Sequence, residues 1–169
     1  MILILIVLFL SLTSAQTYEI KGAQVKYYGS HIFGDWIGVS NDLNGSIFYD
    51  KNNSNHKAEL QVALRSLDSR NSNRDSNMLT YTEALDFPEI KFKSIEIIMD
   101  GDSVNIEGEL SFHGVTNTIN SIAKINMLDG LEVDGTFLIN LNDYNIDPPT
   151  LMFIKIDDII KIEYFISVN

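Results

Sequence analysis

This chain of 169 residues lacks cysteine and contains only three prolines and one tryptophan. Without cysteine the chain can form neither a disulfide nor a thiolate nucleophile nor a thiolate metal site. The fold must therefore be held together by its apolar core. The chain is long enough to bury such a core, and its length favours a single domain.

Basic residues are also few: 12 Lys and Arg stand against 23 Asp and Glu, for a formal net charge of −11. A surface this negative repels phosphate groups, and the sequence contains no basic cluster. We therefore expect no nucleic-acid partner and only poor affinity for anionic membrane surfaces. Hydrophobic residues at 45 % and charged residues at 21 % are typical of a folded globular protein.

Only one long apolar run occurs, Ile2 to Leu10, and it is too short to span a bilayer. Small residues follow it up to Ala15, although no Lys or Arg precedes it. This pattern predicts a secretory signal peptide over residues 1–15, cleaved near Ala15, and a periplasmic or secreted mature chain without a transmembrane anchor. A hydrophobic β-strand is the less favoured interpretation, because no polar residue alternates along the run.

Most of the remaining chain alternates between apolar and polar residues, which is the period of a β-strand. Residues 102–112 alternate best, with Val104, Ile106, Leu110 and Phe112 on one face. Short turn signals separate eight or so such runs, which predicts an all-β, antiparallel sheet. Closure into a barrel of about eight strands would remove the exposed edges. The interior of such a barrel is either filled by side chains or holds one ligand.

One stretch, residues 66–92, does not alternate and predicts a single inserted helix. Ser72 or Asn73 can cap its start, and Pro88 prevents it from continuing. Met78, Tyr81, Thr82 and Leu85 share one face of this helix. The helix is expected either to cover an end of the barrel or to pack on the core as a plain crossover. For the adjacent Arg74 and Asp75, a stabilising charge at the helix start is favoured over a gate at a tunnel mouth.

Residues with catalytic potential form no recognisable site in the sequence. His31, His56 and His113 are not spaced as metal ligands, and we find neither a nucleophile elbow nor a phosphate-binding loop. His56 is expected to be solvated, and His113 to make a structural hydrogen bond at a turn. A hydrolase using His113 or His31 with a serine is the least favoured hypothesis, so the sequence predicts no enzyme, no metal and no catalytic cofactor.

The apolar residues instead predict a ligand-binding interior. From alternation and helical spacing, ten residues are the candidate lining: Val62, Leu64, Met78, Leu85, Phe92, Ile106, Leu110, Phe112, Val133 and Phe137. The alternative is a barrel filled by its own side chains, in which Trp36 and the acidic loops contact a protein partner.

Several segments resemble YceI-like proteins. They are Ser66-Leu67-Asp68, Arg74-Asp75, residues 87–92 (FPEIKF) and residues 107–116 (EGELSFHGVT), where Ser111 replaces the usual Thr. The segment around Asp35-Trp36 and the Asn-rich loop at residues 52–55 depart from the common pattern. The resemblance implies a lipocalin-like β-barrel domain over residues 16–169, exported to the periplasm. It further implies an apolar lipid ligand, a polyisoprenoid or an isoprenoid quinone, that is bound, stored or transported. A ligand-free structural or protein-interaction module of the cell envelope remains the alternative.

Overall fold

The computed structural model describes residues 15–50, 54–127 and 130–168. The predicted signal peptide lies outside these residues except for Ala15, where the first strand begins. Within the described ranges the chain forms eleven β-strands and one α-helix. The strands are β1 (Ala15–Gly29), β2 (Trp36–Ser40), β3 (Leu43–Asp50), β4 (Lys57–Ala63), β5 (Glu89–Asp100), β6 (Ser103–Phe112), β7 (Val115–Asn126), β8 (Leu131–Asn140), β9 (Thr150–Leu151), β10 (Ile154–Lys155) and β11 (Ile159–Val168), and the helix is α1 (Ser72–Tyr81).

Eight strands form a closed antiparallel barrel, as the sequence predicts. Their order around the ring is β1, β3, β4, β5, β6, β7, β8 and β11, and β11 pairs with β1 to close it. The closing pairs run from Ile20 with Val168 to Tyr28 with Lys161. Strands β9 and β10 form a separate two-stranded hairpin outside the ring.

Strands β2 and β3 are two halves of one barrel strand. Both pair with β1 in the same register, β2 with its second half and β3 with its first half. The interruption lies at Asn41 and Asp42, whereas Asn44-Gly45, a dipeptide that often forms hairpin turns, lies inside β3. Gly45 lies inside β3 with φ +140°, and a Cβ there would lie 2.1 Å from the Glu59 carbonyl oxygen. Close approach between β3 and β4 therefore explains this glycine better than a turn does.

The buried apolar residues form two clusters along the barrel. One lies beneath α1 and includes Leu64, Phe112 and Tyr144, with Met78 of the helix packed against it. The other includes Leu43, Val62 and Ile166. The helix thus covers one end of the barrel.

Helix α1 begins and ends earlier than predicted. Its N-cap is Asn71, whose side chain accepts a hydrogen bond from the Arg74 amide at 3.1 Å. Its end is a Schellman motif: Glu83 takes a left-handed φ of +46°, and the Ala84 amide donates to the Leu79 carbonyl at 2.9 Å. The chain therefore leaves the helix seven residues before Pro88. Within the described ranges, no helix has the length and apolar character needed to cross a bilayer.

Candidate functional site: the barrel cavity

A cavity of about 590 Å³ occupies the barrel interior. Its wall includes residues of every strand in the ring, and on β5 it extends from Ile90 to Met99. Nine residue steps of extended chain correspond to about 30 Å along that strand. The cavity therefore runs through both apolar clusters rather than occupying one end of the barrel.

Nine of the ten predicted lining residues lie on this wall: Val62, Leu64, Met78, Phe92, Ile106, Leu110, Phe112, Val133 and Phe137. Leu85 does not, and its placement in the lining is wrong. The Schellman motif turns the chain away at Glu83, so Leu85 lies beyond the helix with its side chain 96 % exposed.

Part of the cavity wall does not follow the alternation of inward and outward side chains, because β5 contains an irregularity. Its register against β6 shifts between Ser94 and Glu96, which exchanges the inward and outward positions. Alternation from Phe92 would place Ile98 inside, whereas Ile97 and Met99 line the cavity and Ile98 is 52 % exposed. The sequence offers one sign of this irregularity, because Ser94 interrupts the apolar face of β5. A single serine does not predict that the register shifts there.

Two hydroxyl groups interrupt the apolar wall deep in the barrel. Ser121 Oγ donates to the Thr136 carbonyl at 3.0 Å and lies 2.9 Å from the Tyr164 hydroxyl. Burial raises the pKa of the Tyr164 phenol. The two hydroxyl groups are hydrogen-bonded within the protein. They form a polar spot on the wall that needs no hydrogen bond from a ligand.

The end of the cavity beneath α1 is more polar, and we call it the mouth. Its wall includes Asn71, Arg74, Trp36 and Tyr27. The Arg74 guanidinium lies over the Trp36 ring, 5.0 Å from its centroid, which is a cation–π arrangement. Lining residues at this end are also solvent-exposed, Phe33 by 63 %, so the cavity opens here.

Tyr27 carries an unmet hydrogen-bonding group at the mouth. Burial raises the pKa of its phenol; Asp75 adds to the rise, and Trp36, Arg74 and Ser69 oppose it. Trp36 and Ser69 lie near enough to act on the phenol, but neither they nor any other described residue meets hydrogen-bond geometry with the buried hydroxyl. A buried hydroxyl without a partner is costly, so this group favours a ligand atom that can pair with it.

Arg74 and Asp75 have separate roles. Asp75 Oδ1 accepts hydrogen bonds from the Ser69 amide at 3.1 Å and the Ser69 hydroxyl at 2.6 Å. It thereby fixes the segment that leads into α1, while Arg74 faces the cavity. The structural role that the sequence favours for this pair thus fits Asp75 but not Arg74.

His56 lies at the opposite end of the cavity. It is partly exposed, lines the wall, and stacks on Tyr49 with ring centroids 4.8 Å apart, so it is less solvated than the sequence predicts. Burial lowers the pKa of its imidazole, and the nearby Asp50 partly opposes this.

The other histidines make structural contacts. His113 Nδ1 lies 2.8 Å from the Tyr144 carbonyl oxygen, which confirms the predicted hydrogen bond at the turn. His31 Nε2 lies 3.2 Å from the Ile154 carbonyl oxygen. Among the hydrogen bonds of the described residues, neither histidine pairs with a serine, as the hydrolase hypothesis requires. Nor do the described ranges contain a cluster of three metal-ligating side chains.

Sequence comparison finds curated relatives of this chain among UPF0312 proteins. Among curated relatives, a UPF0312 protein of Pectobacterium atrosepticum is 29 % identical over 141 residues, covering 76 % of this chain and 72 % of the relative. A UPF0312 protein of an Enterobacter species matches at the same identity and coverage.

Solved structures share the fold at low sequence identity. BcnA of Burkholderia cenocepacia superposes with a TM-score of 0.79 at 15 % identity, covering 87 % of this chain and 96 % of that one. A polyisoprenoid binding domain from Saccharophagus degradans gives a TM-score of 0.67 at 15 % identity, covering 90 % and 98 %. The YceI protein of Campylobacter jejuni gives 0.63 at 17 % identity, covering 78 % and 84 %. The family model for the YceI-like domain matches residues 17–168. The closed barrel, its single helix and this match over nearly the whole described chain establish that the protein belongs to the YceI-like family.

Proposed function

We propose that this protein binds one polyisoprenoid, or a similar amphiphilic lipid, inside its barrel. The observation that carries the proposal is the continuous apolar cavity of about 590 Å³ between the two ends of the barrel. Its volume lies within the range of about 300–1,000 Å³ typical of small-molecule pockets. A barrel filled by its own side chains, the alternative from the sequence, would leave no such space.

Hydrophobic burial is sufficient to hold a ligand of this kind. Each CH₂ group that leaves water contributes about 0.8 kcal/mol, so several prenyl units contribute gross stabilisation of tens of kcal/mol. The net affinity is far smaller, because ordering the chain costs free energy. Little polar recognition is needed, which agrees with a wall that is largely apolar between its two ends and has the paired hydroxyls of Ser121 and Tyr164 as a polar exception.

The mouth gives the ligand a direction. The apolar tail would extend past Phe92 towards Ile97 and Met99, and the polar head would remain near Tyr27 and Arg74. The unpartnered Tyr27 hydroxyl supports this orientation, because a quinone or hydroxyl oxygen could pair with it.

Storage or transport in the periplasm is the role we propose for such binding. Two features support this role: the predicted signal peptide over residues 1–15, and a cavity that shields a water-insoluble chain from solvent. An exported carrier of this type would hold an isoprenoid quinone or related lipid between its sites of synthesis and use.

The test compares two tryptophan variants on adjacent strands. Ile106 faces the cavity and pairs with Ile97, whereas Ile98, one position further along β5, faces outward. The purified proteins are extracted for mass spectrometry, then titrated with an isoprenoid quinone in detergent micelles. We expect Ile106→Trp to reduce uptake at least tenfold by filling the cavity, and Ile98→Trp to bind as the wild type does. Absence of lipid in the extract together with no uptake by the wild type would overturn the proposal.

A further inference from the structure

Six apolar residues are exposed on two neighbouring loops at the mouth, and we call them the mouth patch: Ile32, Phe33, Leu151, Met152, Phe153 and Ile154. The first two follow β1, and the other four form the end of the β9–β10 hairpin. Met152 is 70 % exposed and Phe153 fully exposed at the tip of this hairpin. Phe33 and Leu151 also line the cavity, so the patch is continuous with the cavity wall.

The two loops are fixed to one another. His31 Nε2 lies 3.2 Å from the Ile154 carbonyl oxygen, and the Asp157 amide donates to the Ser30 carbonyl at 3.0 Å. The rings of His31 and Phe33 are 5.1 Å apart. The mouth patch is therefore one surface presented by a braced pair of loops.

The residues at the hairpin tip contradict the usual chemistry of such a turn. Leu151 pairs with Ile154, which leaves a two-residue loop, and Met152 and Phe153 both have positive φ values of 49° and 69°. A type I′ turn of this kind strongly prefers Asn-Gly, because bulky side chains fit poorly at positive φ. The chain thus holds two large apolar side chains in water where small polar residues would be more stable. A local conflict of this kind points to function.

The charge of the protein restricts what the patch can contact. Near the patch, Lys155 is paired with Asp147, and Asp35 accepts a hydrogen bond from Ser30. No basic cluster accompanies the patch in the described ranges, and the net charge of −11 opposes anionic surfaces. An apolar surface without a basic cluster matches a zwitterionic lipid interface.

We propose that the mouth patch inserts shallowly into a zwitterionic phospholipid surface, so that a lipid passes between the bilayer and the barrel without crossing water. This inference rests on the proposed function, because the patch surrounds the opening through which the lipid would move. Aromatic and large aliphatic side chains on a small protruding surface suit the interfacial region of a bilayer.

The test replaces the hairpin tip with the residues that the turn prefers, in Met152→Asn/Phe153→Gly. Neither residue lies on the cavity wall, and the change should maintain or raise stability. The control is Ile122→Thr/Leu138→Thr, which removes two exposed apolar residues from the outer barrel wall. Each protein is measured by flotation with phosphatidylcholine vesicles, by quinone transfer between vesicles, and by quinone affinity in detergent micelles.

We expect the tip variant to lose most vesicle flotation and to transfer quinone at least fivefold more slowly, with affinity in micelles unchanged. The control should match the wild type in all three assays. Failure of the wild type to float, or equal flotation by the tip variant, would overturn the membrane proposal while leaving binding in micelles intact. A wild-type dimer that becomes monomeric in the tip variant, without flotation by either, would assign the patch to self-association and also overturn it. Absence of binding in micelles by every protein would instead count against the proposed function.

Discussion

The ring of Phe92 occupies the space that a side chain at Gly108 would need. A Cβ built on Gly108 would lie 2.3 Å from two atoms of this ring and 2.8 Å from the Lys93 carbonyl oxygen. Glycine on β6 therefore allows an aromatic side chain of β5 to lie flat against the barrel wall. The ring also forms part of the cavity wall, so its position affects the space inside the barrel.

Gly108→Ala should force this ring towards the interior. We expect the free energy of unfolding to fall by about 1–3 kcal/mol, as in other overpacked cores, and quinone uptake to decrease. Gly22→Ala is the matched control, because nothing lies within 4 Å of its added Cβ. Urea titration measures the free energy of unfolding of both alanine variants. The double variant Gly108→Ala/Phe92→Leu should recover part of the stability that Gly108→Ala loses. Equal stability of the two alanine variants would contradict this explanation of Gly108.

Tyr27→Phe removes the unpartnered hydroxyl at the mouth. Stability should be unchanged or higher, because the hydroxyl is buried without a partner. Affinity for an isoprenoid quinone should fall by about 0.5–1.5 kcal/mol, the contribution of one hydrogen bond. Affinity for squalene, which has no polar head, should not change. A similar loss for both ligands in a fluorescence titration would show that Tyr27 acts through shape instead.

Asp75→Ala removes the acceptor of both Ser69 hydrogen bonds. We expect the free energy of unfolding to fall by about 1.5–3 kcal/mol, because hydrogen bonds to a charged group are stronger than neutral ones. Asp86→Ala makes the same charge change on an exposed residue and should cost little. Both variants should retain quinone uptake, and a selective loss of uptake in Asp75→Ala would favour the gate at the mouth.

His56 should make stability depend on pH in the mildly acidic range. Burial holds the pKa of His56 below its ordinary value, so the unfolded chain binds the proton more readily than the folded one. Stability is therefore full above the unfolded pKa of about 6.5 and falls as the pH drops from there towards the folded pKa. Urea midpoints between pH 7.5 and pH 5 should decrease less for His56→Gln than for the wild type. Parallel curves would show that His56 does not contribute.

The barrel could be predicted from the sequence because alternation is strong where one face of a strand is buried. Val104, Ile106, Leu110 and Phe112 lie on the wall as their spacing indicates. Alternation fails where backbone geometry overrides it. The shift between Ser94 and Glu96 moves Ile98 outward, and the left-handed Glu83 removes Leu85 from the helix face.

The mouth could not be predicted, because it depends on contacts between distant segments. Trp36 meets Arg74 across the cavity entrance, and His31 meets Ile154 over 123 positions of sequence. Periodicity carries no information about such pairs. The volume of the cavity was equally inaccessible, since a pattern of inward residues does not say whether they meet in the middle.

The pairing of β1 with β11 joins the first described strand to the last. The ring therefore cannot close until β11 has been synthesised, because β11 follows the other seven strands of the ring in the sequence. Until then β1 and β8 each present an open edge to other unfinished chains. A nonsense mutation that removes β11 from Ile159 onwards should thus yield aggregates rather than a weakened barrel. Chaperones that shield strand edges should matter most just before β11 pairs with β1.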